Sequence, residues 1–284
     1  MLSFKSVVDW VILNRECLQK MLVMRRNTKF TLIWITFVIG SFFHDFFPLP
    51  ASYFSNRKNF FNVYFVKKGW GWTIFLLSGY ISSLLIKQKV NDWGIFYKHL
   101  SRLFVTSFFW YTFTTAFEII EHFTGSCIGE GSLSSKMMCH RKDFLWNGFD
   151  ISGHCFLLSF CILIINEELN CSTNILKCNH NGVAHSDPEP RRGQEIREVF
   201  GFNIPEEIFE QAIEWLGFLL LVLMILWEIM LFFTCLYFHT LSQKLLGFSL
   251  GAFCFYASYM CIFKIEHKYA PCVPSMIAQL NHKN

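Results

Sequence analysis

The sequence predicts an all-α membrane protein that crosses the bilayer six times. Three observations carry that expectation. Of 284 residues, 53% are hydrophobic and only 16% charged, where a soluble domain carries roughly a quarter charged residues. Phe alone fills 34 positions, with 9 Trp and 9 Tyr beside it, and such rings suit helices that face acyl chains and rest at the membrane interface. The apolar residues also fall in long runs separated by polar segments.

A helix needs on the order of 20 largely apolar residues to span the hydrocarbon. Residues 30–47, 70–86, 103–120, 215–238 and 245–263 meet that requirement directly. The fourth run in chain order, 151–165, is short: Asn166, Glu167 and Glu168 stop it, and extending it back to Phe144 takes in Asp150. Polar groups persist at membrane depth where they line a cavity or have partners, so the defect marks a candidate site. Seventeen of the 25 Lys and Arg residues fall in the N-terminal segment, the loop before the third span, the segment before the fifth and the C-tail, against 8 elsewhere. The positive-inside rule then places both termini in the cytosol.

Residues 1–29 form a cytosolic segment in which Phe4, Val7, Val8, Val11 and Ile12 recur at helical spacing, the pattern of an interfacial helix or of a solvated tail. No cleavable signal peptide is expected, because the first apolar run begins behind this polar stretch. The membrane domain covers 30–263, interrupted by a flexible cytosolic linker at 172–194 rich in Asn, Ser, Pro and Arg, and 264–284 is a cytosolic tail. Of the 11 Cys, Cys155, Cys161, Cys235, Cys254 and Cys261 lie in apolar runs as small buried hydrophobes; Cys127 and Cys139, in one polar loop, are the pair expected to bridge. Cys171, Cys178, His180 and His185 lack the spacing of a zinc finger, so no metal site is expected. No Gly-rich nucleotide loop and no basic nucleic-acid patch is present.

The chemistry concentrates at one end of the spans. Asp150-Ile-Ser-Gly-His154 opens the fourth span, with Asp150 as expected N-cap and Ser152, Gly153 and His154 in the first turn, where free N–H groups and the helix dipole attract anions. His239 ends the fifth span on the same side. Two histidines facing one phosphate suit phosphoryl transfer, one ring attacking phosphorus while the other gives a proton to the leaving oxygen. Asp45, Glu118 and Glu121 gather at this level as supporting carboxylates, and Lys67, Arg141 and Lys142 as phosphate-binding candidates, although span ends also carry charges for anchoring alone. Glu228 lies inside the fifth span, about three turns before His239, and needs a polar partner in the bundle.

Several stretches together resemble one family. Pro48-Leu-Pro-Ala-Ser-Tyr-Phe-Ser-Asn56, Asn62-Val-Tyr-Phe-Val-Lys67 with Trp70-Gly-Trp-Thr73, Phe149-Asp-Ile-Ser-Gly-His-Cys-Phe-Leu-Leu158, and Trp227-Glu with Tyr237-Phe-His-Thr240 are similar, in order, to motifs of the fat storage-inducing transmembrane proteins of the endoplasmic reticulum. The resemblance implies a six-span bundle similar to the lipid phosphate phosphatases, with a lumenal active site. It implies an acyl-CoA diphosphatase that cleaves fatty acyl-CoA to acyl 4′-phosphopantetheine and adenosine 3′,5′-bisphosphate and supports lipid droplet biogenesis, with His154 and His239 catalytic. It also implies contact with membrane lipid and di- and triacylglycerol, so a non-catalytic protein that partitions neutral lipid is the alternative. No cofactor is expected; the divalent metal requirement and the oligomeric state stay open.

The chain departs from the wider phosphatase pattern, with Ile151 in place of Pro, Phe232 and Phe233 in place of Ser-Arg, and Gln243 in place of Asp. The roles of the histidines also divide. Helix dipoles favour a neutral His154 as nucleophile and a protonated His239 as acid, whereas the phosphatase likeness implies the reverse.

Overall fold

A computed structural model describes residues 22–47, 49–88, 92–129, 135–182, 196–199 and 202–264. Six long helices run back and forth: α1 Arg26–Phe46, α2 Gly69–Lys87, α3 Trp93–Thr124, α4 Gly153–Gly182, α5 Glu206–Tyr237 and α6 Leu241–Tyr256. The two-stranded pieces are β1 Ser126–Ile128 with β2 Leu145–Asn147, and β3 Ile196–Val199 with β4 Phe202–Pro205, both antiparallel. Among the described residues, Phe61–Lys87, Trp93–Thr124, Gly153–Ser172, Glu207–Tyr237 and Leu241–Lys264 are long and apolar enough to cross a membrane. The chain is therefore an all-α membrane protein.

Helix α1, the remaining expected span, is long enough at 21 residues but carries Lys29, His44 and Asp45 near its ends and falls short of the other five in composition. It packs on α5 so closely that a Cβ on Gly40 would lie 2.9 Å from Cys235 Cβ.

Helix α4 is the centre of the bundle, and nearly every residue from Cys155 to Leu169 is buried. Here the expected end of the fourth span is corrected. Asn166, Glu167 and Glu168 do not stop the helix, because each finds a partner: Asn166 exchanges hydrogen bonds with the Met24 backbone, Glu167 accepts from Arg26, and Glu168 accepts from Arg102 and Tyr259. The helix continues to Gly182, so the first part of the stretch read as linker is helical, and buried Ser172 bonds to the Tyr80 hydroxyl. Residues 183–195 lie outside the described residues, as do 1–21 of the expected interfacial segment and 265–284 of the tail.

Glu228 has the partner it needed, since the Lys29 ammonium donates to its carboxylate at 2.6 Å. Three cations counted outside the spans are in fact buried: Lys29, on Glu228, Arg102, on Glu168, and Lys244, whose Nζ donates to the Cys235 carbonyl at 2.9 Å. Two come from the cytosolic side of the charge balance and one from the other, so the bias that orients the bundle is slightly smaller and keeps its sign.

Helix α6 meets α4 through a small-residue face, which lets backbones approach. A Cβ on Gly247 would lie 2.4 Å from the Ser152 carbonyl oxygen, and one on Gly251 2.2 Å from Ser159 Oγ and 2.5 Å from the Phe156 carbonyl oxygen. Gly251→Val is expected to force the helices apart and cost about 1–3 kcal/mol, read as a lower thermal unfolding midpoint of the purified protein in detergent. An unchanged midpoint would contradict this packing.

Candidate functional site

The start of α4 is fixed by its neighbours. β2 pairs with β1, a disulfide joins Cys127 to Cys139 beside that hairpin, and the chain then turns through residues 148–152 into the helix. Ser152, rather than Asp150, is the N-cap: its Oγ accepts from the Cys155 N–H at 3.3 Å, the N3 donor that a capping side chain satisfies. Its own N–H donates to the Gln243 carbonyl at 3.2 Å, tying α4 to α6. Asp150 is thereby released from capping and faces His239, with 3.7 Å between Oδ2 and Nδ1.

His239 itself is not helical. It lies between α5 and α6 with a φ of 62°, a left-handed conformation uncommon outside glycine, and that reversal turns its ring toward the start of α4. Side chains from two other helices hold the segment by taking up carbonyls that the end of α5 leaves open: Lys244 bonds Cys235, and His44 Nδ1 donates to Leu236 at 3.0 Å. Burial keeps His239 below the ordinary histidine pKa; the Asp150 carboxylate opposes that shift and the Arg57 guanidinium adds to it. The ring has also left the helix C-terminus, whose dipole would favour its protonated form.

Both histidines line one cavity of about 440 Å³. Its polar wall includes Arg57, Asn59, Asn62, Lys67, Glu118, Glu121 and Asp150, and its apolar wall Phe54, Phe117, Met230, Phe233 and Phe238. Phe54 and Phe233 stack with ring centroids 3.8 Å apart, and the Arg57 guanidinium lies 5.8 Å from the Phe238 ring centroid. A pocket lined by cations and imidazoles together with stacked rings can hold an anion attached to an apolar body.

A family model described as "Fat storage-inducing transmembrane protein" matches residues 50–130 and 124–259. The acyl-coenzyme A diphosphatase FITM2 of Homo sapiens is 34% identical over 267 residues, covering 92% of this chain and 90% of its own length. The chain belongs to the fat storage-inducing transmembrane protein family. The Mus musculus protein of the same name is 35% identical over 243 residues, with 83% and 82% of the two chains covered, and that of Danio rerio 32% over 229 residues, with 78% and 79%. No solved structure matches.

For this fat storage-inducing family member, the residues expected from sequence divide in two. His154, His239, Asp150, Gly153, Glu118, Glu121 and Lys67 share the cavity. Asp45 does not line it; it sits beside His44 at the end of α1, 4.0 Å from its Nε2. Arg141 and Lys142 do not line it either, because they end the short helix Lys136–Arg141 and are exposed. Glu121 is already paired with Lys136 at 2.6 Å. Arg57 and Asn62 were missed as site residues, although both lie in or next to motifs that carry the family resemblance, and that adjacency was the available signal. Among the described residues no three of His, Cys, Asp or Glu converge as a metal site; the zinc reading rested partly on Cys178, His180 and His185, whose side chains lie outside the described residues.

Proposed function

We propose that this chain is a fatty acyl-CoA diphosphatase of the endoplasmic reticulum membrane, with His154 and His239 catalytic and both termini cytosolic. The supporting observation is the single cavity that unites the two histidines, an adjacent carboxylate, two cations and a stacked aromatic wall. The names of the relatives agree with it. The Cys127–Cys139 disulfide at the same end supports a lumenal site, since such bonds persist in oxidising compartments.

In this reading Arg57 and Lys67 hold the diphosphate oxygens, in place of the Arg of the phosphatase pattern that Phe233 replaces. Asp150 stands near Nδ1 of His239 and takes the part of the carboxylate that Gln243 replaced, leaving Nε2 to attack phosphorus. The bond to the bridging oxygen breaks, and the leaving phosphate receives a proton from His154. Water then attacks the phosphohistidine while His154 takes its proton, so that one water is consumed and both rings return to their starting state. The acyl chain and pantetheine lie against Phe54, Phe233 and Met230.

Purified protein in nanodiscs, given oleoyl-CoA, should yield equal amounts of acyl 4′-phosphopantetheine and adenosine 3′,5′-bisphosphate. Release of free fatty acid and intact coenzyme A would instead indicate thioester hydrolysis and defeat the proposal. A non-catalytic partitioning protein would yield neither product, and the charged lining of the cavity argues against it. The acid limb of the kcat/KM profile should fall below about pH 6.5: a nucleophile with a lowered pKa stays neutral until the pH drops past that value, and activity is lost only then. Asp150→Asn removes the charge that opposes the shift, so the limb should move further toward acid. A limb above the ordinary histidine value would contradict the assignment of His239.

A further inference from the structure

Asn62 lies in the helical segment that leads into α2, within a π-helical turn at Phe61–Phe65, an irregularity frequent at functional sites. It is buried, and its bonds fix its orientation. Its backbone N–H donates to Asn59 Oδ1 at 2.8 Å, and Asn59 is anchored in turn through Nδ2 to the Asn56 carbonyl at 2.8 Å. Asn62 Nδ2 donates to the Arg57 carbonyl at 2.7 Å, and Asn62 Oδ1 stands 2.8 Å from His154 Nε2.

These contacts leave one consistent arrangement of protons. Rotating the amide by half a turn would set its oxygen against the Arg57 carbonyl oxygen, two acceptors with no hydrogen between them. Oδ1 therefore faces the imidazole, and because it can only accept, His154 Nε2 must carry a hydrogen. We infer that Asn62 is a positioning residue that holds neutral His154 as the Nε2–H tautomer, leaving Nδ1 as the nitrogen that gives and takes the proton in the reaction. The inference depends on the diphosphatase reading for its catalytic meaning, but not for the tautomer itself. The same side chain links His154 to the backbone of Arg57, so one amide sets both the proton-transfer nitrogen and the place of a cation beside the diphosphate. Fixing the tautomer through the other ring nitrogen is a general way to direct an imidazole.

The test uses the full chain in nanodiscs with 15N- and 13C-labelled histidine, at alkaline pH where the ring is neutral. The His154 signal is identified as the one missing from His154→Gln. Its nitrogen and Cδ2 shifts should report the Nε2–H tautomer in the wild type and a mixture or the Nδ1–H form in Asn62→Leu; a wild-type Nδ1–H signal overturns the inference. In turnover of oleoyl-CoA, Asn62→Leu should lower kcat about 10- to 100-fold with KM little changed. Asn62→Asp keeps an acceptor opposite Nε2 but loses the donor to the Arg57 carbonyl, so it should recover part of the rate, with the pH profile displaced toward alkali because a carboxylate favours the protonated ring. Equal losses in both variants with an unmoved profile would mean a folding role alone and would also overturn it. If Asn62→Leu does not fold, the wild-type spectrum and Asn62→Asp decide the matter. A wild type that releases no product defeats the diphosphatase reading, while the spectrum still judges the tautomer.

Discussion

His239→Ala should bring the release of adenosine 3′,5′-bisphosphate from oleoyl-CoA down to background, a loss on the order of 10⁴-fold or more, since it removes the proposed nucleophile. His154→Ala should lose less, about 10²- to 10⁴-fold, the usual share of general acid–base catalysis. The two losses differ in kind as well as size. A substrate analogue with a better leaving group needs no proton, so it should restore much of the rate to His154→Ala and none to His239→Ala. Substrate with a radiolabelled diphosphate should leave acid-labile label on the wild type and on His154→Ala, where breakdown of the phosphohistidine is slowed. Label that persists in His239→Ala and vanishes in His154→Ala would exchange the two roles, and turnover unaffected in both variants would remove the mechanism altogether. The carboxylate of Asp150 at 3.7 Å from His239 Nδ1 is the geometric reason for expecting the first outcome.

Much of this arrangement was legible in the sequence because it depends on hydropathy and local motif. The apolar runs set the helices, and the alternation of helices brings Asp150-Ile-Ser-Gly-His154 and His239 to one end whatever the details of packing. Partnerships between distant segments were not legible. Glu167 and Glu168 read as a stop signal because a carboxylate alone is expelled from an apolar core; only the fold shows Arg26, Arg102 and Tyr259 waiting for them. Lys244 read as a loop cation, yet it closes the end of α5. Arg141 and Lys142 are as near to His154 in sequence as a phosphate ligand would need to be, but the hairpin carries them out to solvent. Arg57 is far away in sequence and is brought in by the loop that Asn59 and Asn62 stitch together. Proximity along the chain was a poor guide at the site, because the spans separate neighbours and join strangers.

The cluster around Glu168 should dominate the stability of the bundle. Arg102 and Glu168 are almost wholly buried, at 0% and 3% exposure, with 3.1 Å between them, and they tie α3 to α4. Tyr259, in the turn that follows α6, donates to the same carboxylate at 2.7 Å, and Arg102 donates to His99 Nδ1 at 3.2 Å. Three segments thus meet on one buried carboxylate. Glu168→Ala or Arg102→Ala leaves a charge or its donors stranded, and each should cost about 3–5 kcal/mol, seen as a large drop in the thermal unfolding midpoint in detergent or as failure to accumulate folded protein. Lys87–Glu210 supplies the control, because its two side chains are 24% and 49% exposed and a pair in contact with solvent is worth no more than about 1 kcal/mol; Lys87→Ala should therefore be mild. The double change Arg102→Met with Glu168→Leu removes both charges at once and should lose far less than the sum of the single changes, since no buried charge is left without its counterpart. Single variants as mild as Lys87→Ala would show that the pair is not buried as described. Strict additivity in the double variant would show that Arg102 and Glu168 are held by other partners and not by each other.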